Sequence, residues 1–134
     1  MRDLRAFTLL ELLIALAISV IMITLAYPTY VHYETHANRN HAEIALMQVA
    51  ERLEDYFTNN NTYKNATADD LNLDVLKNDL PYQLVLTTSD AHFTIQAIPD
   101  SVQAAKDAVC GILSLTDTAA REISGNGNVD ECWR

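Results

Sequence analysis

Phe7–Tyr27, FTLLELLIALAISVIMITLAY, is the stretch from which the rest of the chain is best read. Its 21 residues are nearly all apolar, and its one acid, Glu11, stands close to its start. A helix rises about 1.5 Å per residue, so this length spans roughly 30 Å, the hydrocarbon thickness of a bilayer. The segment is therefore long and apolar enough to cross a membrane, and Glu11 then lies where a charge costs about 3 kcal/mol on insertion scales. A carboxylate placed there calls for a partner.

Upstream, Met-Arg-Asp-Leu-Arg-Ala carries two arginines and one aspartate. Positive charge on this side holds the N-terminus in the cytoplasm and sends the C-terminal domain outward. A cleaved secretory signal fits poorly. Its apolar region is shorter, about 7–15 residues, and ends in a small-residue site such as A-x-A, whereas this run ends in Ala-Tyr-Pro-Thr-Tyr and contains a glutamate. A plain signal anchor fits better but leaves Glu11 unexplained.

Beyond the apolar segment lie 107 of the 134 residues, room for one modest domain. The formal net charge is −9, nearly all of it after the apolar segment. Such a domain is soluble and self-repelling and does not draw phosphate backbones over distance, which disfavours nucleic-acid binding by bulk electrostatics. A local basic patch from Lys64, Lys77, Lys106 and Arg121 on one face would restore that reading. Cys110 and Cys132 close a loop near the C-terminus. Two cysteines suggest one disulfide in an exported domain and free thiols in a cytosolic one; the membrane segment in front favours the disulfide.

Pro28 follows the apolar run, then Tyr30 and Tyr33, residues suited to a membrane interface. A proline inside a helix removes one hydrogen bond and bends or loosens the turn before it. From Asn38 to Phe57 the periodicity is helical: Ala42, Leu46, Val49, Leu53 and Tyr56 recur at steps of three and four, with Glu43, Glu51, Glu54 and Asp55 mostly off that face. One helix over residues 7–57 would span roughly 75 Å. His32 and His36 share a helical face, but nothing completes a metal-ligand set around them.

The asparagine-rich run Thr58–Asn65 ends this helix and opens a polar loop to residue 80. Asp70-x-Asn72-x-Asp74 has the opening of a calcium loop, yet Val75 and Pro81 stand where glycine and the bidentate glutamate are needed, so capping of a helical turn by an aspartate is the better account. Tyr82–Thr88 and His92–Ile98 read as strands joined by Ser89-Asp90-Ala91, with Phe93, Ile95 and Ala97 on the buried face and Pro99 ending the second. A linker rich in Ala and Asp runs to Val109; Cys110–Thr116 reads as a third strand, Arg121–Ser124 as a fourth, and Asn128–Arg134 as a tail tied back by Cys132. No phosphate-binding loop, nucleophile elbow or H-E-x-x-H occurs, so the chain reads as a structural protein rather than an enzyme, without cofactor or metal.

The leader, the small Ala6 and then Phe7-Thr8-Leu9-Leu10-Glu11-Leu12-Leu13-Ile14 resemble the class III signal of the type IV pilin family and its pseudopilins. The C-terminal pattern Cys110-Gly-x-Leu-x-Leu through Ala120, with Cys132-Trp133 at the close, resembles PilE-type minor pilins. The resemblance implies cleavage between Ala6 and Phe7 by a prepilin peptidase, N-methylation of Phe7, and a role for Glu11 in assembly, neutralising the N-terminal amine of a neighbouring subunit. The family prefers glycine where Ala6 stands. Pro28 falls where the family's helix bends, and Cys110 and Cys132 fall where its C-terminal disulfide region lies.

The expected architecture is α+β: a leader at 1–6, a long helix at 7–57 in two halves (7–27 apolar, 28–57 amphipathic), an αβ loop at 58–80, and an antiparallel sheet of about four strands at 81–134. The resemblance implies a minor subunit of a bacterial type IV pilus, held in the inner membrane with its C-terminal domain in the periplasm and then carried into an extracellular filament. Its partners would be other pilin subunits, the peptidase and the pilus assembly platform, and the filament would serve adhesion, twitching motility or DNA uptake. The alternatives are a type II secretion pseudopilin and a DNA receptor or adhesin displayed on the filament.

Overall fold

The computed structural model describes residues 7–76 and 80–134. The leader, Ala6 included, and Lys77 lie outside the described residues. The long helix α1 runs Leu9–Asn60, and the chain divides within it into two compact units, one ending at Glu34 and the other comprising Thr35–Arg134.

In the first unit the large apolar side chains from Phe7, 85% exposed, to Tyr30, 64% exposed, are open on every side, and Val31 is half-buried. Pro28 stands inside α1, whose helical assignment continues across it. The start of the helix is closed by a capping box: the Thr8 hydroxyl accepts from the Glu11 backbone N–H at 3.2 Å, and Glu11 Oε2 accepts from the Thr8 N–H at 3.0 Å and its hydroxyl at 2.9 Å.

In the second unit the amphipathic half of α1 lies on a sheet. Ala42, Leu46, Val49 and Leu53 are fully buried against Leu84, Phe93, Ile95, Ala97, Leu113 and Leu115, as the helical and strand periodicities require. The helix ends because Asn61 takes a left-handed conformation (φ 56°), with its N–H on the Phe57 carbonyl at 2.7 Å. The amides of Asn59 and Asn60 fold back onto the carbonyls of Asp55 and Tyr56. α1 thus runs three residues past the expected Phe57, since these asparagines satisfy its last carbonyls before turning the chain.

A one-turn helix α2 (Leu73–Leu76) interrupts the loop. Before it, Thr67 and Asp70 bond reciprocally, the Thr67 N–H and hydroxyl both reaching Asp70 Oδ2, so Asp70 closes a turn that Thr67 caps and is not itself the cap.

The sheet is antiparallel with order β1 (Tyr82–Thr88), β2 (Phe93–Pro99), β3 (Leu113–Thr116) and β4 (Arg121–Ile123). Ser89 and His92 close the first hairpin through Ser89 N–H on the His92 carbonyl at 2.8 Å, leaving Asp90–Ala91 as a two-residue turn. Pro99 pairs with Tyr82 at the sheet margin, so it is the last residue of β2 rather than its stop. Strand β3 begins at Leu113 and not at Cys110, because Gly111 adopts φ +66° and turns the chain before pairing starts.

The expected linker after Pro99 is a helix, α3 (Ser101–Lys106). Asp100 caps it, accepting from the Val102 and Gln103 N–H groups at 3.0 and 2.8 Å. A final turn, α4 (Val129–Cys132), capped by Asn128, brings Cys132 to Cys110. The two form a disulfide with Cα atoms 5.7 Å apart.

Candidate functional site

Two surfaces carry chemistry that a function could use. The first is the exposed apolar part of α1. Its most apolar stretch has a mean hydropathy of 2.6 and is not buried anywhere inside the fold. The hydroxyls of Ser19 and Thr24 donate to the carbonyls of Ala15 and Ile21 at 2.7 and 2.8 Å, so neither presents an unsatisfied donor to an apolar surrounding. Glu11 is the one carboxylate between Phe7 and Tyr33, and both capping bonds land on its Oε2. Serving as a helix cap is thus a second job for Glu11 beside the one expected from sequence, and the signature Thr8-x-x-Glu11 was legible beforehand.

The second surface is the sheet end where two turns meet. Antiparallel pairing of Thr94 with Thr116 and of Leu115 with Arg121 places the β1–β2 turn beside the β3–β4 turn. His92 Nδ1 lies 2.9 Å from Asp117 Oδ2 across them, and this hydrogen bond, ahead of other causes, holds the Asp117 carboxyl below the usual range. The αβ loop joins the same end: the Thr62 hydroxyl and the Tyr63 N–H donate to the Asp90 carbonyl, and Lys64 Nζ is 3.6 Å from Asp90 Oδ1.

The sequence singled out Lys64, Lys77, Lys106 and Arg121 as a possible basic cluster. Lys64 is at this end, paired with Asp90. Arg121, at the start of β4, has its guanidinium 5.5 Å over the Trp133 ring. Lys106 belongs to α3, which leaves β2 at the opposite end of the sheet. The three described members do not converge on one patch.

Sequence reasoning missed a buried polar layer between α1 and α3. Arg39, 5% exposed, gives Nη1 to both carboxylate oxygens of Asp107 at 2.7 and 2.8 Å and to Cys110 Sγ at 3.2 Å. Its Nη2 meets His36 Nδ1 at 2.7 Å. Gln103 donates to the Thr35 carbonyl and the Tyr82 hydroxyl, and accepts from Asn38. Glu43, expected on the solvated face, is buried at 4% exposure; burial pushes its carboxyl up to about 7 against the pull of Arg39, the Arg134 N–H and Arg121. Arg39 and Glu43 lie on the buried side of α1 with Ala42 and Leu46, so only their polar character concealed them. Among the described residues no group of three or more histidine, cysteine or acidic side chains is arranged to hold a metal ion.

Comparison with known proteins agrees with this architecture. Residues 1–27 match the prokaryotic N-terminal methylation motif. Residues 28–114 match the family described as "Type IV minor pilin ComP, DNA uptake sequence receptor". The crystal structure of the Neisseria meningitidis non-core minor pilin PilV is similar in fold, with a TM-score of 0.57 and 22% identity over 72% of this chain and 94% of that one. No curated protein matches the chain. The fold is that of a type IV pilin, a structural protein and not an enzyme, and with residues 28–114 matched the chain belongs to the type IV minor pilin family described as ComP, DNA uptake sequence receptor.

Proposed function

We propose that the protein is inserted in the inner membrane with its C-terminal domain in the periplasm, cut between Ala6 and Phe7 by a prepilin peptidase and N-methylated at Phe7. It then enters a pilus through the apolar half of α1, with the head of residues 35–134 displayed. The observation that supports this best is the exposure of large apolar side chains around the whole circumference of α1 from Phe7 to Tyr30. A soluble protein buries such a surface, whereas a subunit passing from lipid into a bundle of helices presents it to both. Ala15, Ala17 and Ser19 are small enough to let neighbouring helices approach closely. Glu11 is the carboxylate that pairs with the N-terminal amine of a neighbour and sets axial register, since a shifted subunit leaves both charges unpaired. Pro28 supplies a point at which the helix yields on assembly.

Co-expression with a prepilin peptidase tests the processing step. The expected product begins with N-methylated Phe7 by mass spectrometry; a chain still beginning at Met1 contradicts it. The type II secretion alternative loses support, since the matching family is that of type IV minor pilins.

A second reading, binding of DNA by the head, is favoured by the match of residues 28–114 to a family described as a DNA uptake sequence receptor. The charge of −9 and the scattered described cations weigh against affinity from phosphate contacts alone. Fluorescence anisotropy of a DNA duplex with the purified full chain tests it. Saturable binding that weakens with added salt supports the reading, and no binding at about 50 mM salt removes it. Adhesion and twitching motility are further uses of the filament, to be separated by deletion and imaging of surface pili.

A further inference from the structure

Two Asn-x-Thr triplets stand close together where α1 gives way to the αβ loop, Asn60-Asn61-Thr62 and Asn65-Ala66-Thr67. With any residue but proline in the middle, such a triplet is the acceptor pattern for an N-linked glycan. The pattern does not distinguish the two. Their surroundings do.

Asn60 is the last residue of α1, and its side-chain amide nitrogen donates to the Tyr56 carbonyl at 2.9 Å. The Thr62 hydroxyl is half-buried and donates to the Asp90 carbonyl on the β1–β2 turn at 3.0 Å, next to the Tyr63 N–H on the same oxygen. Offering this triplet to an enzyme would uncap the helix and undock the loop from the sheet.

Asn65 is placed differently. It is exposed, stands at φ 66° in a turn closed by the Ala66 N–H on the Tyr63 carbonyl at 3.2 Å, and its side-chain amide makes no hydrogen bond among the described residues. The turn has a firm base, since Tyr63 is buried with its ring against Phe57 and Phe93 at 4.6 and 5.0 Å. Thr67 is exposed too, and its hydroxyl partners only Asp70, three residues on. An exposed local bond of this kind opens at little cost and leaves the attachment through Thr62 and Tyr63 intact.

We propose that Asn65 is the acceptor of an N-linked glycan transferred from a diphosphate-activated sugar. The Asn65 amide nitrogen forms a bond to the anomeric carbon and gives up one proton to the transferase. The bond from that carbon to the diphosphate oxygen breaks, and the diphosphate leaves with the electron pair. A lipid-linked diphosphate is the donor if transfer follows export, and a nucleotide diphosphate is the donor if transfer precedes it. Only the first arm rests on the membrane topology proposed above.

The test is mass spectrometry of the chain purified from the cells that naturally make it. Trypsin cuts after Lys64 and so separates the two triplets. The expected result is a sugar mass increment on Asn65, lost in Asn65→Gln and Thr67→Ala and kept in Thr67→Ser and Asn60→Gln. Loss of the increment when synthesis of the lipid carrier is blocked supports the lipid-linked donor, and its persistence supports the nucleotide donor. An unmodified Asn65, an increment that survives in Asn65→Gln, or one confined to Asn60 overturns the proposal. The same spectra report the N-terminus, so an unmodified Asn65 in a chain that begins at Phe7 counts against the glycan site alone.

Discussion

Glu43 and Asp117 give the head opposite responses to pH. Asp117 is held below its usual range by His92, so its contribution is present above the unfolded carboxylate value of about 4 and is lost as pH falls through the folded value. Glu43 is raised to about 7 by burial, so the native state holds a proton there that the unfolded state has already lost. Through Glu43, stability falls as pH rises from the ordinary glutamate value toward about 7. Urea midpoints measured across this window should decline with pH in the native chain and lie nearly flat in Glu43→Gln. Leu46, fully buried at the centre of the core, is the opposite kind of residue. Leu46→Ala should cost about 2–5 kcal/mol by denaturant unfolding, with no change in that pH slope. Leu46 was legible from helical spacing alone. Glu43 was not, because its charge reads as part of the solvated face, while the fold buries it beside Ala42 and Leu46.

At the scale of elements, local chemistry decides what was readable. β1 emerges with the boundaries that its composition suggests, because alternation and the turn residues around it agree. α3 was missed as a linker: six residues of Ser, Val, Gln, Ala and Lys have too short a period to recognise, and the signal lay in Asp100 as cap. Asp100→Ala should cost about 1 kcal/mol and loosen α3 in hydrogen exchange before the sheet. The turn after β4 has a different constraint. At Gly125 an added Cβ would lie 2.0 Å from the Val109 carbonyl oxygen and 2.5 Å from its carbon, both backbone atoms that cannot swing aside. Gly125→Ala should therefore destabilise by about 2–3 kcal/mol, read as a lowered unfolding midpoint with the sheet's circular dichroism retained. That requirement comes from two segments meeting under the disulfide, a long-range fact that no local pattern encodes.

On the scale of the whole molecule, the chain divides its tasks between an apolar stretch with no interior of its own and a head whose core is complete. The disulfide closes the head's C-terminal loop, and its loss should cost roughly 3 kcal/mol in the loop-closure account. Cys110→Ser with Cys132→Ser, compared by thermal unfolding, checks this. The central claim concerns the apolar stretch, and the most direct measurement is the composition of pili sheared from cells that carry either the native chain or Glu11→Ala. The native chain should be found in the sheared filaments beginning at Phe7, while Glu11→Ala should reach the inner membrane in normal amount and be depleted from the filaments. Absence of the native chain from the pili, or equal incorporation of Glu11→Ala, would contradict the account.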